Sequence, residues 1–387
     1  MSTVPTLTLP QFLEAALGSG HPWVYRDHVP PKLDLPSGTI VQVTAGKVKV
    51  YALWDRDSPI ALRVLSRHEA PSAEWVRARV RSAWELRSLV RSEGTTAFRW
   101  LFGEGDGLPG ITVDLYGAYA VVLTYADGLE AILDWVVEAL SETTELAGIL
   151  ARRHGDQEMQ LLWGKTPPAD LSVSEHGVRL FADPLRGQKT GLFLDHRENR
   201  RFVHGVARGL DVLNLFSYTG AFSVHAALGG AKRVTSVDTS AGAMDSAREN
   251  FRLNGLDPDA HEFVTQDAFE YLDAAKRAGK RYDLVISDPP SFAKDKQQTP
   301  RALESYERLH GAVFRVTSTS GFVAAASCTS RVTPEAFRQT LANAATKNQR
   351  RFQIVHEAGQ AIDHPVMAQH LEGRYLKFVV GRVLGVP

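Results

Sequence analysis

The stretch Val212-Leu-Asn-Leu-Phe-Ser-Tyr-Thr-Gly-Ala-Phe-Ser223 decides how this chain folds. An apolar run, a turn centred on Gly220 and a small-residue helix start predict a parallel strand delivering the chain to the carboxyl edge of a sheet. The run Arg233-Val-Thr-Ser-Val-Asp238 predicts a second strand that ends on an acid. Further strands are expected near 261–265, 282–287 and 320–327, alternating with helices near 221–229, 240–253, 268–278, 302–318 and 334–347. That alternation belongs to a doubly wound, mostly parallel sheet, whose ligands bind beyond the carboxyl ends of the strands. Phe352-Gln-Ile-Val-His-Glu357 and Tyr375-Leu-Lys-Phe-Val-Val380 lack a full crossover helix between them and predict a hairpin edge.

What the pocket holds turns on a third segment, Tyr282-Asp-Leu-Val-Ile-Ser287 followed by Asp288-Pro-Pro-Ser-Phe292. Two rigid prolines after a buried strand fix the backbone beside a reacting group, as S-adenosylmethionine (SAM) methyltransferases require. A nicotinamide-binding protein is the competing reading, since it also ends its second strand on an acid. It needs Gly-x-Gly-x-x-Gly so that a pyrophosphate can approach the backbone, and only Gly220 stands in this turn. SAM carries a sulfonium charge and no phosphate, so Phe216, Tyr218 and Phe222 around the turn suit it. Asp238 is expected to accept hydrogen bonds from the ribose. Asp267 in Gln266-Asp-Ala-Phe269 is expected beside adenine or, failing that, as the cap of the next helix. Asn214 is a polar residue in an apolar strand and a candidate ligand contact.

Cys328 lies just past the fifth apolar strand, in Ala325-Ala-Ser-Cys-Thr-Ser330. A lone cysteine is more often a small buried hydrophobe, but the strand end puts its sulfur at the same crevice as Asp288. Carbon 5 of a pyrimidine is a weak nucleophile, and a thiolate adding to carbon 6 makes it enamine-like and able to take a methyl group. Methylation of an amine needs no thiol, so Cys328 favours carbon methylation.

The 387 residues are too many for one ordinary core. With 44% hydrophobic and 23% charged residues the composition is that of a globular protein, and no apolar run reaches membrane-span length. The start Met1-Ser-Thr-Val-Pro5 lacks signal-peptide features and the single cysteine excludes an internal disulfide, so a cytoplasmic protein is expected. No thiolate zinc cluster can form, the histidines show no metal-ligand spacing, and no metal is expected. Basic and acidic residues balance at 44 each, so any nucleic-acid signal is local. Trp75 to Arg91 carries Arg77, Arg79, Arg81, Arg87 and Arg91 against Glu85 alone, on a helical apolar pattern. A solvated face explains such a helix as well as RNA contact does. Arg186 to Arg201, with glycine turns around Lys189, is a second basic segment and suggests backbone approach to a ligand.

Residues 1–70 read as a short helix, Leu9 to Leu17, then β-branched strands at 38–43, 47–53 and 60–65, a small barrel. Residues 71–172 read as the basic helix, then strand, strand, helix, strand, strand. The glycine-rich turn Gly103-Glu-Gly-Asp-Gly-Leu-Pro-Gly110 between the first two strands is explained by turn chemistry. Residues 173–387 open on a strand or hairpin, Val173 to Asp183, and hold the doubly wound sheet.

The chain resembles, end to end, the RlmI family of bacterial 23S ribosomal RNA cytosine-5 methyltransferases. The resemblance rests on His21-Pro-Trp-Val24, Glu104-Gly-Asp-Gly-Leu-Pro-Gly110, Gly187-Gln-Lys-Thr-Gly191, Asp195-His-Arg-Glu-Asn-Arg200, Phe216-Ser-Tyr-Thr-Gly220, Asp288-Pro-Pro-Ser-Phe292, Ser327-Cys-Thr329 and Asp363-His-Pro365. It implies a Rossmann-like class I SAM-dependent methyltransferase domain with a seven-stranded sheet, an N-terminal PUA-like barrel that binds RNA and an α+β middle domain. It further implies SAM as cofactor, 23S ribosomal RNA as partner, Cys328 as nucleophile, and Gln188, Lys189 and Thr190 in the SAM pocket; the strand-end and turn pattern adds Asn214, Phe216, Tyr218, Thr219, Gly220, Asp238, Asp267 and Asp288 as cofactor contacts, with Asp288 also expected in catalysis. RNA contacts are expected at Arg77, Arg79, Arg81 and Arg197. Related RNA cytosine-5 methyltransferases often carry a second cysteine directly after Asp-Pro-Pro; Ser291 stands there, which leaves the base for the carbon-5 proton open between Asp288 and water. Two other readings stay open: a base N-methyltransferase acting on guanine or an exocyclic amine, and a non-catalytic RNA-binding assembly factor. Oligomeric state is open, a homodimer included.

Overall fold

The computed structural model describes residues 4–386 apart from Lys32, His154, Gln157, Gln188, Lys189 and residues 293–295. The chain forms two compact units. One comprises Met1–Val173, Ala182–Leu194 and Ile362–Gly373, the other Ser174–Phe181, Asp195–Ala361 and Arg374–Pro387.

The second unit is built on a seven-stranded sheet whose strands are here called β1 (Asp211–Leu215), β2 (Arg233–Asp238), β3 (Glu262–Thr265), β4 (Tyr282–Ser287), β5 (Thr317–Ser327), β6 (Arg350–Ala358) and β7 (Lys377–Gly385). Their order is β3-β2-β1-β4-β5-β7-β6. The first five run parallel, while β7 is antiparallel to both β5 and β6. Helices cover the sheet, so central strands are buried on both faces and read as continuous apolar runs: Leu284, Val285 and Ile286 have no exposed surface. Helices start where the sequence supplies a cap. Ser240, Asp267 and Thr333 accept backbone N–H groups at the starts of Ala241–Leu253, Ala268–Arg277 and Pro334–Lys347, each cap stabilising by about 1 kcal/mol. The sheet, its five parallel strands and its hairpin edge are those expected from the sequence.

The first unit holds two five-stranded sheets. One is the small barrel-like sheet, with strand order Thr6–Thr8, Ile40–Ala45, Val48–Trp54, Ile60–Ser66, Trp23–Tyr25. The other orders Gln160–Gly164, Gly148–Arg153, Tyr119–Thr124, Ile111–Tyr116 and Ala97–Phe102. It has one strand more than expected before the helix Leu133–Thr143. Gly117, at φ 61°, makes a tight turn that splits the apolar run 111–124 into a hairpin.

The expected three-part division is also modified, because residues 182–194 and 362–373 pack with the first unit. A polar hub explains this. Arg87, with no exposed side chain, donates to both carboxylate oxygens of Asp106 (2.6 and 2.7 Å), to the carbonyl of Asp363 (2.7 Å) and to that of Arg99 (2.9 Å). Asp363 accepts the Arg99 N–H at 2.8 Å, and Arg99 pairs with Asp114 at 2.6 Å. The glycine-rich turn is therefore structural: Glu104 accepts from the Trp23 indole at 2.8 Å, and a side chain at Gly105 would collide with the Pro365 carbonyl. Among the described residues no helix is long and apolar enough to cross a membrane.

Candidate active site

The carboxyl ends of β1, β2, β4 and β5 gather most of the residues singled out by sequence. The loop after β1 is strained: Phe216 and Tyr218 adopt left-handed backbone at φ 56° and 47°, a conformation that costs about 1–3 kcal/mol for such side chains and persists where the surroundings impose it. Asp238 imposes it. One carboxylate oxygen accepts the Tyr218 N–H at 2.9 Å, the other the Ser240 N–H at 3.0 Å. Gly220 has φ 76°, and a Cβ there would lie 2.8 Å from the Cβ of Ala247, so only glycine fits between loop and helix. The hydroxyls of Ser217 and Thr219 in this loop are buried without a partner among the described residues. Buried hydroxyls of this kind are costly unless a ligand or water meets them, and they suit the polar edge of a nucleoside. Gly220 and Asp238, both expected at the cofactor, thus shape this loop.

Other expected cofactor contacts are placed differently. The amide of Asn214 is buried and donates to Ser223 at 2.9 Å, whose hydroxyl pairs with Ser236 at 2.7 Å. It ties β1 to the next helix and to β2, so its amide N–H is spent inside the sheet. Asp267 caps its helix, one oxygen accepting from Phe269 and Glu270 at 2.8 and 3.2 Å, in keeping with the second reading of that residue. Thr190 lies in the first unit, buried, donating to Asp114 at 2.5 Å and paired with the Tyr116 hydroxyl at 2.7 Å; its side chain is committed there. Gln188 and Lys189 lie outside the described residues.

Cys328 and Asp288 meet. The thiol donates to Asp288 Oδ1 at 3.5 Å. A residue to which the sequence reading gave no role completes the group: His196 Nε2 is 3.2 Å from Asp288 Oδ2 and 3.6 Å from Cys328 Sγ. His196 was visible only as part of the Asp195-to-Arg200 motif, and no spacing signal links it to residues 92 and 132 positions away. The three ligand atoms lie within 4.8 Å of one another, as do those of His21, His370 and Glu372 in the first unit. Both groups are assembled from segments far apart in sequence, which spacing along the chain does not reveal.

Lys377 is a second unexpected neighbour. Its ammonium is buried on β7 and donates to the carbonyls of Thr329 and Tyr375. Burial pushes it down to about 8, while the nearby Cys328 sulfur acts in the opposite direction. Burial likewise pushes the Tyr306 hydroxyl up to about 12. A positive group beside a thiol favours the thiolate. A lysine inside the apolar run Tyr375-to-Val380 was the legible sign of it.

The RNA-contact expectations divide. Arg197 has no exposed side chain and pairs with Glu198 at 3.0 Å; a guanidinium so enclosed cannot reach a phosphate, and the expectation is corrected. Arg200 of the same motif is also buried, paired with Glu175, which His225 joins at 2.8 Å. Arg77 is ringed by Glu74, Glu138 and Glu142, and hydrogen bonds to Glu142 and Glu74 hold its guanidinium above the usual range. Its charge is balanced locally. Arg79 and Arg81 remain exposed on the helix Ala73–Leu86.

Comparison with known proteins gives the family of the chain as a whole. Residues 134–347 match the S-adenosylmethionine-dependent methyltransferase family and residues 7–67 a PUA-like domain. Ribosomal RNA large subunit methyltransferase I of Erwinia tasmaniensis is 35% identical over 98% of this chain and 99% of its own. That of Salmonella schwarzengrund is 34% identical over 99% of this chain and 98% of its own. The crystal structure of SMU.776 complexed with SAH superposes with a TM-score of 0.88 at 26% identity, covering 98% of this chain and all of the other. The chain uses SAM, and with full-length identity at this level it belongs to the ribosomal RNA large subunit methyltransferase I family.

Proposed function

We propose that the chain methylates carbon 5 of a cytosine in 23S ribosomal RNA, with Cys328 as nucleophile. The observation that carries this reading is the thiol of Cys328 against the Asp288 carboxylate at the carboxyl ends of neighbouring strands. Nitrogen methylation has no use for that sulfur. SAM, when bound, supplies the methyl group as an electrophile. Residues Ser217 to Gly220 and Asp238 would hold it through the strained loop, and Asp288 and the prolines after it would meet the base.

A cytosine reaches such a crevice only when flipped from its stack. The Cys328 thiolate adds to carbon 6, the electron pair of the carbon 5–carbon 6 bond moves into the ring, and carbon 5 becomes nucleophilic enough to accept the methyl group. Transfer of the carbon-5 proton to Asp288 or to water then restores the double bond and expels the thiolate. Exposed Arg79 and Arg81, with the PUA-like sheet, are the parts suited to RNA phosphates.

The test is to incubate the full chain with SAM and transcribed 23S ribosomal RNA and identify the modified nucleoside. 5-Methylcytidine, and covalent trapping on RNA carrying 5-fluorocytosine, support the reading. An N-methylated base, or full activity in Cys328→Ala, overturns it.

A further inference from the structure

The His196 ring is held on both sides. On one, Asn199 Nδ2 lies 3.0 Å from Nδ1 and also donates to the Gly359 carbonyl at 3.3 Å. On the other, Nε2 faces Asp288 Oδ2 at 3.2 Å and Cys328 Sγ at 3.6 Å. Phe222 and Phe378, stacked on each other, both lie beside the ring, with centroids 5.4 and 6.1 Å from it and their planes steeply inclined to it.

These contacts settle where the ring's proton sits. An amide N–H aimed at Nδ1 needs a lone pair there, so in the neutral ring the proton is on Nε2. Reversing the Asn199 amide would abandon its bond to Gly359, so the network fixes the tautomer. A ring with its proton on Nε2 offers the crevice a donor and no lone pair. It is poorly suited to take a proton from carbon 5 and well suited to hold a carboxylate.

We propose that His196 is a positioning residue: its Nε2–H clamps Asp288 against the Cys328 thiol, stabilises the negative charge those two groups share, and does not act as the carbon-5 base. The proposal rests on Cys328 being the nucleophile. The thiol proton passes to Asp288 Oδ1, the sulfur electron pair forms the bond to carbon 6, and the proton on Asp288 becomes available to ring nitrogen 3, where the displaced electron pair collects. Atoms and charge balance without a further reactant.

A glutamine at 196 can present an N–H to Asp288 but cannot act as a base near neutral pH; an alanine can do neither. In single-turnover methylation of transcribed 23S ribosomal RNA, His196→Gln should keep the wild-type pH profile and most of the rate. His196→Ala should lose about 10–100-fold, the weight of a hydrogen bond to a charged group. A second readout needs no RNA and no SAM. The chain has one cysteine, so its alkylation by iodoacetamide reports on Cys328 alone. The pH midpoint of alkylation should be unchanged in His196→Gln and raised by about half a unit or more in His196→Ala, where the thiolate loses a facing dipole. Glutamine failing as badly as alanine, or alanine leaving the alkylation profile in place, would overturn the proposal. If no variant makes 5-methylcytidine but the alkylation profiles separate as stated, the clamp stands and the carbon-methylation reading fails.

Discussion

Two regions of this protein are dense with charged and polar motif residues, and they differ in what is left over. In the first unit Arg87, Asp106, Asp363, Arg99, Asp114 and Thr190 are engaged with one another and with their neighbours. At the carboxyl edge of the second unit's sheet the hydroxyls of Ser217, Thr219 and Ser287 are buried without partners among the described residues, two residues are held in left-handed backbone, and a thiol, a carboxylate and an imidazole crowd together. A completed network organises a fold. An incomplete one awaits a ligand, because the cost of buried unpaired groups is recovered only when something meets them.

Substitutions can break that contrast. Cys328→Ala should lower methyl transfer by roughly 10³-fold or more, leaving SAM affinity and the urea midpoint nearly unchanged; activity within tenfold of wild type would remove the sulfur from the chemistry. Arg87→Ala should do the reverse. It strands Asp106 in a buried site and should destabilise the fold by about 3–5 kcal/mol in urea titration, and a loss under about 1 kcal/mol would show the hub to be dispensable.

Smaller effects sharpen it. Asp238→Ala removes a carboxylate that shapes the loop proposed to hold SAM, and calorimetry should show SAM affinity weakened by about 1.5–3 kcal/mol. An unchanged affinity would move the cofactor elsewhere. Lys377 gives a pH signature. Its folded-state pKa lies at about 8, below the ordinary lysine range, so the unfolded chain binds more protons between about pH 8 and pH 10.5 and stability should rise with pH across that window. In Lys377→Met this increment, on the order of 1–2 kcal/mol once screening is allowed for, should be missing from urea midpoints compared at about pH 7.5 and pH 10. Smallest is the basic helix: Arg79→Gln and Arg81→Gln should each lower the salt slope of RNA binding by about one, and Arg77→Gln, already neutralised by three glutamates, should leave it unchanged. Equal effects at all three positions would mean that the glutamates release Arg77 when RNA binds.

The sequence by itself determined the sheet, its turn glycine and the crevice. Apolar runs such as Val212–Leu215 and Leu284–Ile286, the φ-permissive Gly220, and Asp238, Asp288 and Cys328 at strand ends are local signals, legible because strand burial and turn geometry act within a few residues. Only the tertiary structure decided which polar residues are free. Arg197 and Arg77 read as basic surface, Asn214 and Thr190 as ligand contacts, yet each is engaged by partners the sequence does not bring near. His196 and Lys377 entered the site by the same route. Cys328 and His196 are 132 positions apart and Arg87 and Asp363 are 276 apart. A side chain's charge is written in its identity, but whether that charge is available depends on neighbours that only folding supplies.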